Sequence, residues 1–179
     1  MTTIIGGSSP SITFSDGTTQ TSGYGSGTSQ FVSSQMPTGS VLQVVQGTST
    51  TSFSTASATP SDIGLSATIT PKFSTSKILV SVCITQMNTN ANYATGGTVS
   101  LVYGSTTLFT FDSFIAYQTD PTNTDNYVGG TATDYLHSPA TTSAITYKIQ
   151  ASKNTGGGNF RIMPAASSQC SITLWEIAG

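Results

Sequence analysis

The chain has 179 residues, of which only 7% are charged, and a net charge of −2; an average soluble protein carries roughly 25% charged residues. Its five basic residues are scattered, so no basic stripe exists to displace phosphate counterions, and nucleic acid is excluded as a partner. No apolar run approaches the ~20 residues of a membrane span, and Met1 to Gly7 lacks the basic region and apolar stretch of a secretory signal. Ser, Thr, Gly and Asn stand where charge would be. Such a surface suits a part that lives in an assembly or outside a cell, because a free enzyme stays apart from its neighbours partly through charge.

Residues 1–40 are mostly Ser, Thr and Gly, with Asp16 as their one charge. They show no helical period and no sustained strand period, and on their own they are expected to be disordered. Ordering them costs more than Ile4, Ile5, Ile12, Phe14, Tyr24, Phe31, Val32 and Met36 return by burial. The segment is therefore expected to be an extended arm that docks on other subunits, its backbone adding to a neighbour's sheet. The alternative is an arm packed on its own domain.

From Val41 onward strand signals dominate. Val41 to Gln46 and Leu65 to Thr70 read as strands, the second stopped by Pro71. In Lys77 to Thr85 the residues Ile78, Val80, Val82 and Ile84 share one face by the period-2 rule. Val99 to Tyr103 and Thr107 to Phe111 flank Gly104-Ser105 as a hairpin, and Phe114 to Gln118 follows. A loop rich in Asp, Asn, Thr and Pro spans 119–126. Beyond it Thr131 to Leu136, Ala144 to Ala151 and Phe160 to Met163 read as strands, the last entered through Gly156-Gly157-Gly158. The final strand, Gln169 to Ile177, puts Cys170, Ile172 and Leu174 on one face and Trp175 and Ile177 on the other, and is expected to pair centrally.

Short strands at regular spacing without a helical pattern predict an all-β fold. The expected architecture is an antiparallel β-sandwich of jelly-roll type over 41–179, carried on the extended arm 1–40. Low charge leaves its edge strands poorly protected, a state often relieved by oligomerisation. Phe109, Phe111, Phe114 and Tyr117 form an aromatic cluster suited to core or to a subunit interface. Cys83 and Cys170 lie in apolar strand-like runs and are expected to be buried unpaired thiols, with a disulfide between them as the alternative.

Three stretches carry a resemblance. Ile12-Thr13-Phe14-Ser15-Asp16-Gly17-Thr18-Thr19-Gln20-Thr21 resembles a segment, ITFxDGTTQT, that recurs in phage tail-fibre and related virion proteins. Pro37 to Gln46, with Gly64 to Pro71 and Ser76 to Val80, resembles a β domain found among phage structural proteins, and the ending Ser171 to Ile177 fits it too. The resemblance covers most of the chain. It implies a bacteriophage virion structural protein, often a homotrimer, assembled in the bacterial cytoplasm with a major capsid protein or tail proteins as partners. It transfers no catalytic residue and no cofactor. A typical tail fibre carries an attachment domain and a long shaft ahead of such a module, where this sequence has only the arm. That departure favours capsid decoration, as a cement or head-fibre protein anchored through Ile4, Ile5, Ile12, Phe14 and Asp16, over a short tail fibre or tail tip. In the tail-fibre alternative the tip recognises host glycan, with Asn92, Tyr93 and Tyr127 as the candidate contacts.

No chemistry stands out against this reading. His137 is the one histidine, with Asp112, Asp134 and Ser138 near it in sequence, but no G-x-S-x-G elbow accompanies it and it reads as a strand-end residue. Glu176 is the one glutamate, leaving little for paired-carboxylate hydrolysis. Asp120, Asn123, Asp125 and Asn126 offer hard oxygens, yet their spacing matches no calcium loop and turn chemistry explains them. The expectation is a non-enzymatic protein without metal.

Overall fold

The computed structural model describes residues 12–20, 36–90, 95–118, 126–162 and 168–179, with backbone alone at residues 12, 13, 19, 20, 90, 112, 118 and 126–128. The chain divides into two units, Met1–Met36 and Pro37–Gly179. The sequence put the boundary at 40. The second unit begins earlier because Gly39 donates its N–H to the Ala178 carbonyl at 2.8 Å, and Ala178 donates in return to Ser40 at 2.8 Å. Of the first unit only a small hairpin is described, β1 (Ile12–Thr13) and β2 (Thr19–Gln20), so these residues double back on themselves.

All described elements of the second unit are strands, and every strand pairing is antiparallel. One sheet has the order β11 (Thr131–His137), β6 (Lys77–Ile84), β14 (Cys170–Ile177), β3 (Val41–Ser49). A second has the order β5 (Ser61–Ile69), β12 (Ile145–Thr155), β8 (Thr95–Tyr103), β9 (Thr106–Gln118). A third runs β10 (Asn126–Val128), β7 (Met87–Asn90), β13 (Asn159–Ile162), β4 (Phe53–Thr55).

The third sheet repeats the first strand for strand. β3 leads into β4, β6 into β7, β10 into β11 and β13 into β14, so the two are one four-stranded sheet creased across all its strands. The crease passes through Gln86, at a φ of 47°, and through Gly129-Gly130, where a Cβ on Gly130 would run into the Ile84 carbonyl oxygen. Thr85 ties it to the neighbouring strand, its hydroxyl donating to the Ser168 carbonyl at 2.8 Å. Counted this way the described residues of the unit form eight long strands in two four-stranded sheets. The chain changes sheet at every connection except the β8–β9 hairpin. That is the connectivity of a jelly roll.

The sheets face each other with β5 against β3 and β14, and with β9 beside β11. Between them lie Leu65, Ile69, Ile78, Val80, Ile84, Leu101, Tyr147, Ile149, Ile172 and Leu174, all at 1% exposure or less. The alternation read from the sequence in β6 and β14 appears here as buried and outward positions. β14 lies between β6 and β3, the central place expected of it. β4, β7 and β10 carry no apolar period and were not expected as strands. β9 is continuous where two strands were expected, because register shifts against β8 absorb its irregular middle.

Candidate functional site

The arm motif has a local structural cause. Phe14 N–H donates to the Thr18 carbonyl at 2.8 Å and Gly17 N–H to the Phe14 carbonyl at 3.0 Å, closing a turn in which Gly17 has a φ of 83°. That left-handed backbone is why glycine follows the aspartate. The Asp16 carboxylate accepts from the Thr18 amide at 2.9 Å and from its hydroxyl at 2.6 Å. Both bonds favour the ionised form and hold the Asp16 pKa below its usual 3.8, with the hydroxyl bond the larger cause. Phe14 stands half exposed beside this turn. Ile4 and Ile5 lie outside the described residues, and of Ile12 only the backbone is described.

The outward faces of the two sheets differ. On the second sheet, hydroxyls pair across strands: Thr68 with Thr146 at 2.7 Å and Ser100 with Thr110 at 3.2 Å. Asp62 there accepts from Gln150 at 2.7 Å and from Lys148 at 3.0 Å. Its pKa is lowered, chiefly by the Gln150 bond. This is the polar outer surface expected of a sheet facing water.

On the first sheet the strand register lines up Val44, Trp175, Leu79 and Leu136 in one row across β3, β14, β6 and β11. Their inward neighbours Leu174 and Val80 fill the core, so this row points out; Val44 is 49% exposed, Leu136 53% and Trp175 36%. Val41 and Ile177, paired at the strand ends, extend the apolar area. The next row is Gln46, Thr173, Ser81 and Asp134, with the Gln46 amide donating to the Thr173 hydroxyl at 2.9 Å. Beyond it Ser171, Cys83 and Ala132 floor a shallow groove. Cys83 is exposed, which corrects the expectation of burial: with Val82 and Ile84 facing the core, the residue between them must face out. Cys170 is buried on the opposite face, and both thiols are unpaired.

The four aromatics of β9 divide. Phe109 and Phe111 contact edge to face at 5.6 Å and pack against the core. Phe114 and Tyr117, 53% and 44% exposed, make an edge-to-face pair at 5.6 Å above Gly96. A strict alternation would not put Ile115 and Ala116 both inside; the positive φ of Ala116, 58°, turns the strand there and sends the flanking rings outward. Asn92 and Tyr93 lie outside the described residues, as do Asp120, Asn123 and Asp125; Asn126 and Tyr127 are in β10, described by backbone alone.

His137 ends β11 on the inner side, its Nδ1 2.8 Å from the Tyr147 phenol oxygen and its ring 5.0 Å from that of Tyr103. Burial lowers its pKa from 6.5 and raises that of Tyr147 from 10.0. Asp134 lies on the outer face, so among the described residues no nucleophile, base and carboxylate converge here; the Asp112 side chain is outside the described set. Glu176 is fully buried in an all-donor cage. It accepts from Lys72 N–H and Ser76 Oγ at 2.7 Å each, and from Gln43 Nε2 at 2.6 Å. The cage fastens the segment between β5 and β6 to the end of β14, a structural use of its one glutamate. Among the described residues no three His, Cys, Asp or Glu side chains gather as metal ligands.

No protein-family model matches the sequence, and no curated protein matches it. Among solved structures, the VP2 subviral particle of infectious bursal disease virus is similar over 76% of this chain and 33% of the VP2 chain, with 17% identity and a TM-score of 0.38. The Gx strain of the same virus gives 76% and 37% coverage, 17% identity and a TM-score of 0.33. This chain spans about a third of the length of each.

Proposed function

We propose that this protein is a non-enzymatic structural component of a bacteriophage virion, a homotrimeric capsid decoration protein of cement or head-fibre type. Residues 1–40 anchor it to its virion partners, the major capsid protein foremost. One observation carries the reading. A chain with 7% charged residues turns a four-strand apolar row toward solvent on one sheet while the other sheet keeps a polar outer face. Exposed apolar area of that kind marks a surface built to be covered, and the role is mechanical. Jelly rolls serve capsids, lectins and enzymes alike, so the fold by itself does not decide between them.

The arm hairpin supports the anchor assignment, since its Asp16–Thr18 bonds give the leader a preformed shape that a docking surface can recognise. Deleting residues 1–35 is expected to leave a folded domain that no longer joins particles. Normal incorporation of the truncated protein overturns the anchor. Immunogold label over the head, rather than the tail, is the outcome expected of decoration.

A tail-tip role with host glycan as ligand is favoured by a different observation, the exposed Phe114–Tyr117 pair, since aromatic faces stack on sugar rings. Tyr127 and, in the sequence, Asn92 and Tyr93 are its other candidates. Glycan-array signal that Tyr117→Ala abolishes, together with label at the tail, selects this reading instead.

A further inference from the structure

We infer that the outer face of the β11-β6-β14-β3 sheet is the surface on which copies of this chain meet, around an axis parallel to its strands. The inference rests on the reading of the chain as a self-associating virion part and names the residues that do it.

Rotation about an axis parallel to the strands leaves the height of every residue along that axis unchanged. Each row of the sheet therefore meets the same row of the next copy. Val44, Trp175, Leu79 and Leu136 stand at one height across all four strands, so such a rotation buries the whole row against its own kind. The neighbouring row meets itself equally well. Thr173 and Ser81 hydroxyls, and the Gln46 amide, each carry both donor and acceptor, so members of this row can bond to one another across the contact. A charged row would repel itself. The face carries two charges, Lys77 and Asp134, in different rows; Asp134 is on the edge strand β11 and Lys77 at a strand end, where water reaches both.

The area suits another copy. Four strands at ~4.8 Å and eight residues at ~3.3 Å each give a face on the order of 500 Å² before side-chain relief is counted. That is the same order as the roughly 800 Å² a partner contributes to a standard interface. Trp175 sits near the middle of the row, the place and the residue type at which interface energy concentrates.

The test uses the full chain. Light scattering behind size exclusion at micromolar concentration should give three times the 18.4 kDa chain mass for the natural protein. Leu136→Glu and Val44→Lys alter exposed positions, so each should keep the all-β circular dichroism signal while its mass falls to that of a single chain. Alkylation of Cys83 should then speed up at least tenfold, with buried Cys170 as the unreactive internal standard. A monomeric natural protein overturns the inference, as do two folded variants that keep the natural mass. Particle incorporation separates this outcome from failure of the virion reading. A natural protein that is monomeric yet joins particles sinks only the interface; one that never joins particles sinks the virion role as well.

Discussion

The Nδ1 of His137, on the last residue of β11, lies 2.8 Å from the phenol oxygen of Tyr147, a fully buried residue of the opposing sheet. The contact links the two sheets at one end of the core. It also sets a pH response. Burial makes the imidazolium costly, so the folded-state pKa of His137 lies below its usual 6.5. As pH falls below 6.5 the unfolded chain takes up a proton that the folded chain still refuses, and folding stability drops. The contribution is fully present above 6.5 and is lost as pH descends through the depressed value. Urea titrations at pH 7.5, 6.5 and 5.5 should show a declining midpoint, and His137→Phe should flatten that decline. An unchanged decline in the variant would show that another group is responsible.

Glu176 is the position where a conservative change should hurt most. In Glu176→Gln one carboxylate oxygen becomes an NH₂ that faces existing donors, either at Gln43 or at Lys72 and Ser76. Losing a charged acceptor and opposing buried donors is expected to cost about 3 kcal/mol. Equilibrium unfolding measures it directly. A loss under ~1 kcal/mol would show that the cage rearranges around the amide.

Gly47 marks a close approach of β3 to β5. A Cβ at this position would overlap the Ser66 carbonyl oxygen of β5, a backbone atom that cannot turn aside. Gly47→Ala is expected to lower stability by about 3 kcal/mol. Gly129→Ala, with nothing within 4 Å of the added carbon, should stay within about 0.5 kcal/mol of the natural protein. Equal effects from the two would contradict the packing described.

Asp16 offers a check on the leader alone. Its carboxyl, held down by Thr18, should titrate below 3.8 by ¹³C NMR, and Thr18→Ala should let it rise toward that value. A titration already at the ordinary value in the natural chain would mean the turn is not formed in solution.

Much of the core was legible because burial in a sheet leaves a two-residue period. Ile78, Val80, Val82 and Ile84, and later Cys170, Ile172 and Leu174, announced their face before any pairing was known. Where strands are short or covered on both sides that signal vanishes. Met87, Asn88 and Thr89 are all buried in β7, so no alternation exists to be read. In β9 the residues 115 and 116 break the count, and the fate of Phe114 and Tyr117 depended on that local turn. The outward row was beyond reach for a different reason. It requires the registers of β3, β6, β11 and β14 at once, and those pairings join residues far apart in the chain. Each member looks ordinary alone: a Val, a Leu, a Trp at a polar-facing position. Only their common height gives them meaning.

The crease across β3/β4, β6/β7, β10/β11 and β13/β14 has a further consequence for how a sandwich of strands is sealed. Two flat sheets laid face to face leave open ends through which water can enter. By bending as a unit, the longer sheet sends β7, β10 and β13 back against β9 and β8, and a stopper is made from strands already in place. Phe160 and Ile162 on β13 are thereby kept dry.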